Sequence, residues 1–391
     1  MAQVRAAGIS PDLEQPVRFS VYDITSSTSD GASAWRPVAG KIPHAAAYQH
    51  TLEQARIADE VGIDAYFLTE HHSNAGFQIL PSPHLMIAAL SQTTSRIRLG
   101  AMTLNLPLYH PVRAAEEIRM LDLLTNGRLE IGLGRGLAGH EQAGFGVRRE
   151  DSEQLFDASF PLIRQLLRDG GVESYATGPW HGEGVSVVPE ATQTPHPPIW
   201  MAGISEKSIR KAARLGVNLC TAFLDSDDTA RTAAIYRDEW QAAHPGTPVG
   251  SYGTMQHIFV AETEAEARAL AQPHLQAWLG AGHEASVMIS QSPTVDKGYE
   301  DHKAWFDKIT KLPFEEAVEH RRIIFGTPEQ CVAQLLDKAQ AGVDMFQGWF
   351  QFGGLDFEAS NRSMRLFGEH VAPAVKAALA TAPTPAQPAI S

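Results

Sequence analysis

Eight short β-rich runs alternate with eight longer segments of helical period, and this alternation constrains the fold more than any other feature of the chain. The runs are "VRFSVYD", "DAYFLT", "IRLGAMTL", "RLEIGLG", "PPIWMAG", "VNLCTAF", "SYGTMQHIFV" and "VDMFQGWF", starting at Val17 and ending at Phe350. Between them lie segments such as "AAYQHTLEQARIADEVG" and "SEQLFDASFPLIRQLLRDG", most with apolar residues at i, i+3, i+4 and i+7, and several stopping at glycine. Strands that alternate with helices pair in parallel through right-handed crossovers. Eight units close into a (β/α)8 TIM barrel; an open doubly wound sheet is the architectural alternative.

The alternation also shows where the chain departs from a minimal barrel. Gly171 to Pro198 reads as a surface excursion, and a stretch from about 281 to 324 is a long insertion in the seventh β/α unit, mixed and amphipathic enough to act as a lid. The expected organisation is an N-terminal extension over 1–15, one barrel domain over 16–380, and an Ala/Pro tail over 381–391.

Charge and cysteine usage narrow the function. Lys and Arg number 32 against 45 Asp and Glu, a net charge of −13, with no basic block. Such a surface repels nucleic acid and anionic membranes. The two cysteines, Cys220 and Cys331, stand in different halves and outside metal-ligand spacing, which argues against a disulfide scaffold or a zinc knuckle. The N-terminal stretch has no uninterrupted apolar core, and no run of about 18 apolar residues occurs, so a cytoplasmic protein is expected.

The stretch "GRLEIGLGRGLAGHE" spells G-x-G-x-x-G at Gly134, Gly136 and Gly139. A dinucleotide turn must open a helix directly and needs an acidic residue about 20 positions later. Here a polar loop, "HEQAGFGVRRED", follows, without helical period. The glycines fit better as a close approach of backbone to a flat ligand at the end of the fourth strand, with Arg135 directed at a phosphate or a ring edge; a plain tight turn is the alternative.

Three other strand ends carry chemistry. "FLTEHHS" brings Glu70, His71 and His72 to the end of the second strand, where an imidazole oriented by a neighbour suits general acid/base work. Adjacent histidines on a strand cannot both face one metal, so no metal site is expected. Met102, Thr103 and Asn105 close the third strand where a planar cofactor would lean. Gly203, Ser205 and Ser208 cross a strand-to-helix junction, where they offer donors to a phosphate or simply cap the helix.

Taken together, "TEHHS", "RLGAMTLNLPLYHPVRAAEEIRMLDLLTNGRLEIGLGRG", "PPIWMAG" with "SEKSIRKAARLG", and "GTPEQCVAQLLDKAQAGVD" resemble the bacterial luciferase-like flavin-dependent monooxygenases, closest to the luciferase alpha-chain branch, from about residue 17 to 375. The resemblance implies a two-component monooxygenase: reduced FMN from a partner flavin reductase reacts with O2 to a C4a-peroxyflavin, which oxidises a small hydrophobic organic substrate such as an aldehyde or ketone. NAD(P)H would act only through the reductase, and a homodimer is expected. It implies that His71 is the acid/base, flanked by Glu70 and His72, and that a non-prolyl cis peptide joins Met102 and Thr103 behind the flavin. Arg135, Gly136 and Leu137 match the flavin-contacting run, and Ser205 with Ser208 the phosphate loop. Gly134 replaces a reactive cysteine, and Glu153 replaces a phosphate-binding arginine, for which Arg148 or Arg149 is the substitute. Phe77, Trp200, Trp349, Phe350 and Phe352 are the candidates for an apolar mouth. A deazaflavin-dependent hydride-transfer enzyme and a non-catalytic flavin-binding subunit are the rival functions.

Overall fold

The computed structural model describes residues 16–27, 42–73, 78–136, 139–291, 308 and 312–380, with backbone alone over 281–291. The strands are β1 (Arg18–Asp23), β2 (Ala65–Leu68), β3 (Arg98–Asn105), β4 (Leu129–Gly134), β5 (Gly171–Thr177), β6 (Trp180–Ser186), β7 (Ile199–Ala202), β8 (Asn218–Ala222), β9 (Tyr252–Val260), β10 (Ile323–Gly326) and β11 (Met345–Trp349). The helices are α1 (His44–Glu60), α2 (Pro83–Ser91), α3 (Pro111–Leu124), α4 (Gly139–Gly144), α5 (Ser152–Asp169), α6 (Glu206–Leu215), α7 (Ser226–Ala243), α8 (Glu264–Gln291), α9 (Phe314–Glu319), α10 (Pro328–Gln340), α11 (Phe357–Leu366) and α12 (Ala372–Ala380).

Parallel pairing runs β9-β11-β1-β2-β3-β4-β7-β8, and β8 pairs back onto β9, which closes the ring into a (β/α)8 barrel. All eight strand runs of the sequence are barrel strands. They are legible because strands of a closed parallel barrel are buried on both faces, so β2 and β11 are buried at every position.

Side chains of alternate parity divide the core in two. Phe19, Tyr66, Leu99, Ile131 and Leu219 point outward and pack under the helices. Phe67, Met102, Trp200, Met255 and Met345 point inward and fill the barrel. Each fully buried large apolar side chain contributes roughly 1.5–3 kcal/mol. At the N-terminal end of the strands the barrel has a polar floor: Arg18 Nη1 and Arg98 Nε donate to Glu130 Oε1 at 2.6 and 2.5 Å, and Trp200 Nε1 donates to Glu130 Oε2 at 2.6 Å.

Helix ends follow their sequence signals. Ser205 caps α6 and Gly216, at φ 67°, stops it; Thr327 and Gln330 form a capping box on α10. Three segments take a definite form that the sequence reading did not give. The loop after the glycines contains a short helix, α4, whose six residues are too few to show a period. The excursion after α5 is an antiparallel hairpin, β5 with β6, that is exposed along much of both strands. The Ala-rich segment after Ala372 continues as α12, with Val375 buried. The seventh unit runs from β9 through α8 and α9 to an added strand, β10, which extends the sheet beside the upper half of β9. The remainder of the expected insertion, the 1–15 extension and the 381–391 tail lie outside the described residues. No helix among the described residues is long and apolar enough to cross a membrane.

Candidate active site

At the C-terminal end of β2 the chain leaves the barrel as Glu70, His71 and His72, and each side chain has a defined partner. His71 Nδ1 lies 2.9 Å from Glu141 Oε1, on α4, and the same oxygen accepts the His72 backbone N–H at 3.2 Å. His72 Nε2 lies 2.8 Å from Glu70 Oε1, and the His72 ring meets Phe145 edge-on at 4.7 Å. Glu70 is buried, and its second oxygen accepts the Asn105 backbone N–H at 3.0 Å. Burial, and then the Glu70 charge, push the Tyr109 hydroxyl pKa up. A carboxylate facing Nδ1 holds the proton on that nitrogen and leaves Nε2 as the basic atom of a neutral imidazole. Glu141 is the residue the sequence reading did not single out, because nothing in spacing connects it to a histidine 70 positions earlier.

The ends of β3 and β4 form the adjoining wall. The Met102–Thr103 peptide is cis, as the resemblance implies. A Cβ at Gly134 would collide with Thr103 Oγ1, so the absence of a side chain at 134 is what lets Thr103 occupy that space. Gly136 adopts φ 78°, a left-handed conformation that favours glycine, and a Cβ there would sit 3.3 Å from Gln142 Nε2 and 3.5 Å from Asn105 Cγ. Gln142 Nε2 in turn donates to the Arg135 carbonyl at 2.9 Å. Leu137 and Phe77 lie outside the described residues.

A third cluster lies where β7 passes into α6. Ser205 Oγ accepts the Ser208 backbone N–H at 3.3 Å, and Ser208 Oγ donates to the Ser205 carbonyl at 2.7 Å. Gly203 leaves room for this turn, since a Cβ there would stand 2.5 Å from Ser208 Oγ. Lys207 Nζ pairs with Glu153 at 2.6 Å, and Arg135 Nη1 approaches the same carboxylate at 3.7 Å. Lys211 Nζ stands 3.9 Å away, so Glu153 draws three cations to the helix end, and Lys207 leads the causes that hold its carboxyl pKa down. Lys207 and Lys211 are cations that the sequence reading overlooked. Arg148 stands largely exposed, with Nε and Nη2 each 2.8 Å from Asp151 and Nη1 2.8 Å from Glu150.

The aromatic candidates divide. Trp349 and Phe352 join the inward cluster with Phe223 and Trp278. Trp200 belongs to the barrel floor, bonded to Glu130, and Phe350 faces outward against Phe367 at 5.3 Å, so neither lines a mouth. No group of three or more metal-ligating side chains occurs among the described residues.

Bonds and ion pairs therefore run around one rim, from β2 to Asn105 and to Glu141 of α4, whose neighbour Gln142 holds the Arg135 carbonyl, and from Arg135 to Glu153 and the start of α6. The family model of luciferase-like monooxygenases matches residues 24–345. The chain belongs to that family. As a luciferase-like monooxygenase it is an oxidoreductase of the flavin-dependent monooxygenase type. It is 27% identical to the oxygenase component of flavin-dependent trigonelline monooxygenase of Acinetobacter baylyi, over 84% of this chain and 89% of that one. It is also 27% identical to an alkanal monooxygenase alpha chain of Photorhabdus luminescens, over 82% of this chain and 90% of that one. Among solved structures it is similar to monooxygenase RslO1 of Streptomyces bottropensis, with a TM-score of 0.73 and 25% identity over 91% of this luciferase-like chain and 99% of that one.

Proposed function

We propose that this luciferase-like monooxygenase is the oxygenase component of a two-component system, taking reduced FMN from a flavin reductase and using O2 to oxidise a small hydrophobic aldehyde or ketone. The observation that carries the reading is the His71–Glu141 pair on the same rim as the Gly203–Ser208 turn and the three cations around Glu153.

The residues present fit a planar ring with a phosphate tail. Gly134 and Gly136 keep the wall low beside Thr103 and Asn105, and the start of α6 offers backbone N–H groups with Ser205, Ser208, Lys207 and Arg135 close by. Glu153 opposes a phosphate there until its carboxylate turns away or its cations are shared. Arg148, held by Asp151 and Glu150, serves this end only by leaving that pair. Reduced FMN, when bound, supplies the electrons that activate O2. His71 holds or moves the proton at Nε2, Glu141 fixes the ring, Glu70 positions His72 and Asn105, and the inward apolar side chains limit water.

The relative named an oxygenase component supports the reductase partner, and the alkanal relative supports a carbonyl substrate. Exposed Leu85 on α2 and Met120, Leu123 and Leu124 on α3 support a homodimer joined through those two helices. The test is oxygen uptake and product analysis on the purified protein supplied with chemically reduced FMN and a panel of aldehydes and ketones, with a reduced deazaflavin in parallel. Product with FMN and O2 is the expected result. Turnover with the deazaflavin alone, or none with either, overturns the reading.

A further inference from the structure

His257, on the inner face of β9, is fully buried, and neither its Nδ1 nor its Nε2 has a hydrogen-bond partner among the described residues. Its ring is boxed by aromatic groups. Phe223 and Trp349 stack on it with centroids at 4.9 and 4.6 Å, and Trp278 of α8 and Phe352 meet it edge-on at 4.3 and 5.1 Å. Trp349 is the register partner of His257 across β9 and β11, and Gln347 stands one step deeper on the same inner face. The Gln347 Oε1 accepts from Cys220 Sγ at 3.3 Å, while its Nε2 also has no partner among the described residues.

A neutral imidazole carries one N–H and one lone-pair nitrogen. The face of Trp278 satisfies an N–H only weakly, and no ring in the box donates to the lone pair. Buried polar atoms left this way cost stability that a phenylalanine in the same box would not. The wall carries a cost as well: Phe223 is held at φ 54°, a conformation rare for an aromatic residue, with its ring laid on the imidazole. Unsatisfied polar groups and local strain concentrate where a ligand completes the structure. Half-buried Tyr22 of β1 meets Trp349 edge-on at 5.9 Å on the side of the box next to β1.

We propose that this box is the recess for the organic substrate, built for a flat, uncharged molecule that presents one carbonyl or hydroxyl oxygen to His257 and Gln347. Two N–H donors, from the carboxamide and the imidazole, call for an acceptor oxygen, and the four rings call for an apolar, planar body. Burial holds the imidazole pKa down to about 3, so the ring stays neutral and offers a charged ligand no counter-ion. The box is filled by its own side chains here, so occupation requires one of its rings, such as Trp278 on α8, to move aside. The inference rests on the oxygenase reading only in calling the ligand the substrate.

The test is binding without flavin. The full-length protein is titrated with acetophenone, ethylbenzene and benzoate, followed by the emission of the tryptophans that flank His257. Acetophenone is expected to bind about tenfold more tightly than ethylbenzene, and benzoate not measurably. His257→Phe is expected to abolish the preference for the ketone while raising Tm, and Gln347→Met to narrow the same preference, which decides the matter if the first variant does not fold. Equal affinity of ketone and hydrocarbon for the unmodified protein, or a preference untouched in the variants, overturns the proposal. Selective binding without any oxygenation would sink the oxygenase reading and leave the recess standing.

Discussion

One oxygen of Glu141 lies 2.9 Å from His71 Nδ1 and accepts the backbone N–H of His72 at 3.2 Å, so a single carboxylate orients the ring of one histidine and the main chain of the next. His71→Ala is expected to slow turnover by about 10²-fold or more, and Glu141→Gln by about tenfold, because the amide holds the ring less firmly in one tautomer. Oxygen uptake coupled to product formation at saturating reduced FMN measures both. An unchanged rate in His71→Ala removes its role as acid/base.

Glu153 places a negative charge among the groups that face the phosphate. Glu153→Gln is expected to tighten FMN binding about tenfold at low ionic strength, with the gain shrinking as salt is added, and Lys207→Ala to loosen it. Quenching of FMN fluorescence reads the affinity. Looser binding in Glu153→Gln would show that the carboxylate helps rather than hinders the phosphate.

The turn before α6 has no spare volume. In Gly203→Ala the new methyl would stand 2.5 Å from Ser208 Oγ and 2.8 Å from Ser208 Cβ, which forces the turn open. A loss of about 2 kcal/mol of stability and weaker FMN binding are expected together. Differential scanning calorimetry and the same fluorescence titration check them; a variant with native Tm contradicts the packing described.

The apolar surface of α2 and α3 should be covered in solution. Leu85→Glu combined with Leu123→Glu is expected to convert a dimer to a monomer without loss of helicity. Sedimentation velocity distinguishes the two, and an unmodified protein that sediments as a monomer defeats the assignment.

Asp344 gives a pH dependence of defined sign. Burial pushes its pKa up from the usual carboxylate value to about 6, although Oδ2 accepts the Tyr252 N–H at 3.1 Å. A raised folded pKa means that the contribution of this group to stability is complete below its unfolded value and is lost as pH rises through about 6. Asp344→Asn should therefore lack that decline, so the Tm difference between variant and parent grows in favour of the variant from pH 4 to pH 7. Parallel melting curves across that range are the measurement, and a constant difference refutes the assignment.

The barrel was legible because its strands are apolar on both faces and its helices are not, a contrast that survives in a one-dimensional pattern. The hairpin of β5 and β6 was not, since much of it is exposed on both faces and its residues show no alternation. Within the site, His71 and the Gly134–Gly136 corner stood out by residue type. Glu141 and Lys207 acquire meaning only from contacts that folding makes. Trp200 and Phe350 show the same limit from the other side: both stand in apolar runs, but Trp200 lies at the start of its strand and turns into the barrel floor, while the pleat sends Phe350 out under a helix. His257 sits in "MQHIFV" beside Gln256 as one of two polar residues in an apolar run, and nothing in that string tells of two unsatisfied nitrogens.

The floor that Arg18, Arg98, Glu130 and Trp200 lay across the base of the barrel closes that end among the described residues, so a ligand of the barrel enters from the other. Two guests admitted through a single entrance cannot pass each other, so whichever lodges deeper has to arrive first and depart last. An order in the comings and goings of any two such guests is the prediction this masonry carries, at the opposite end from the rim that holds His71.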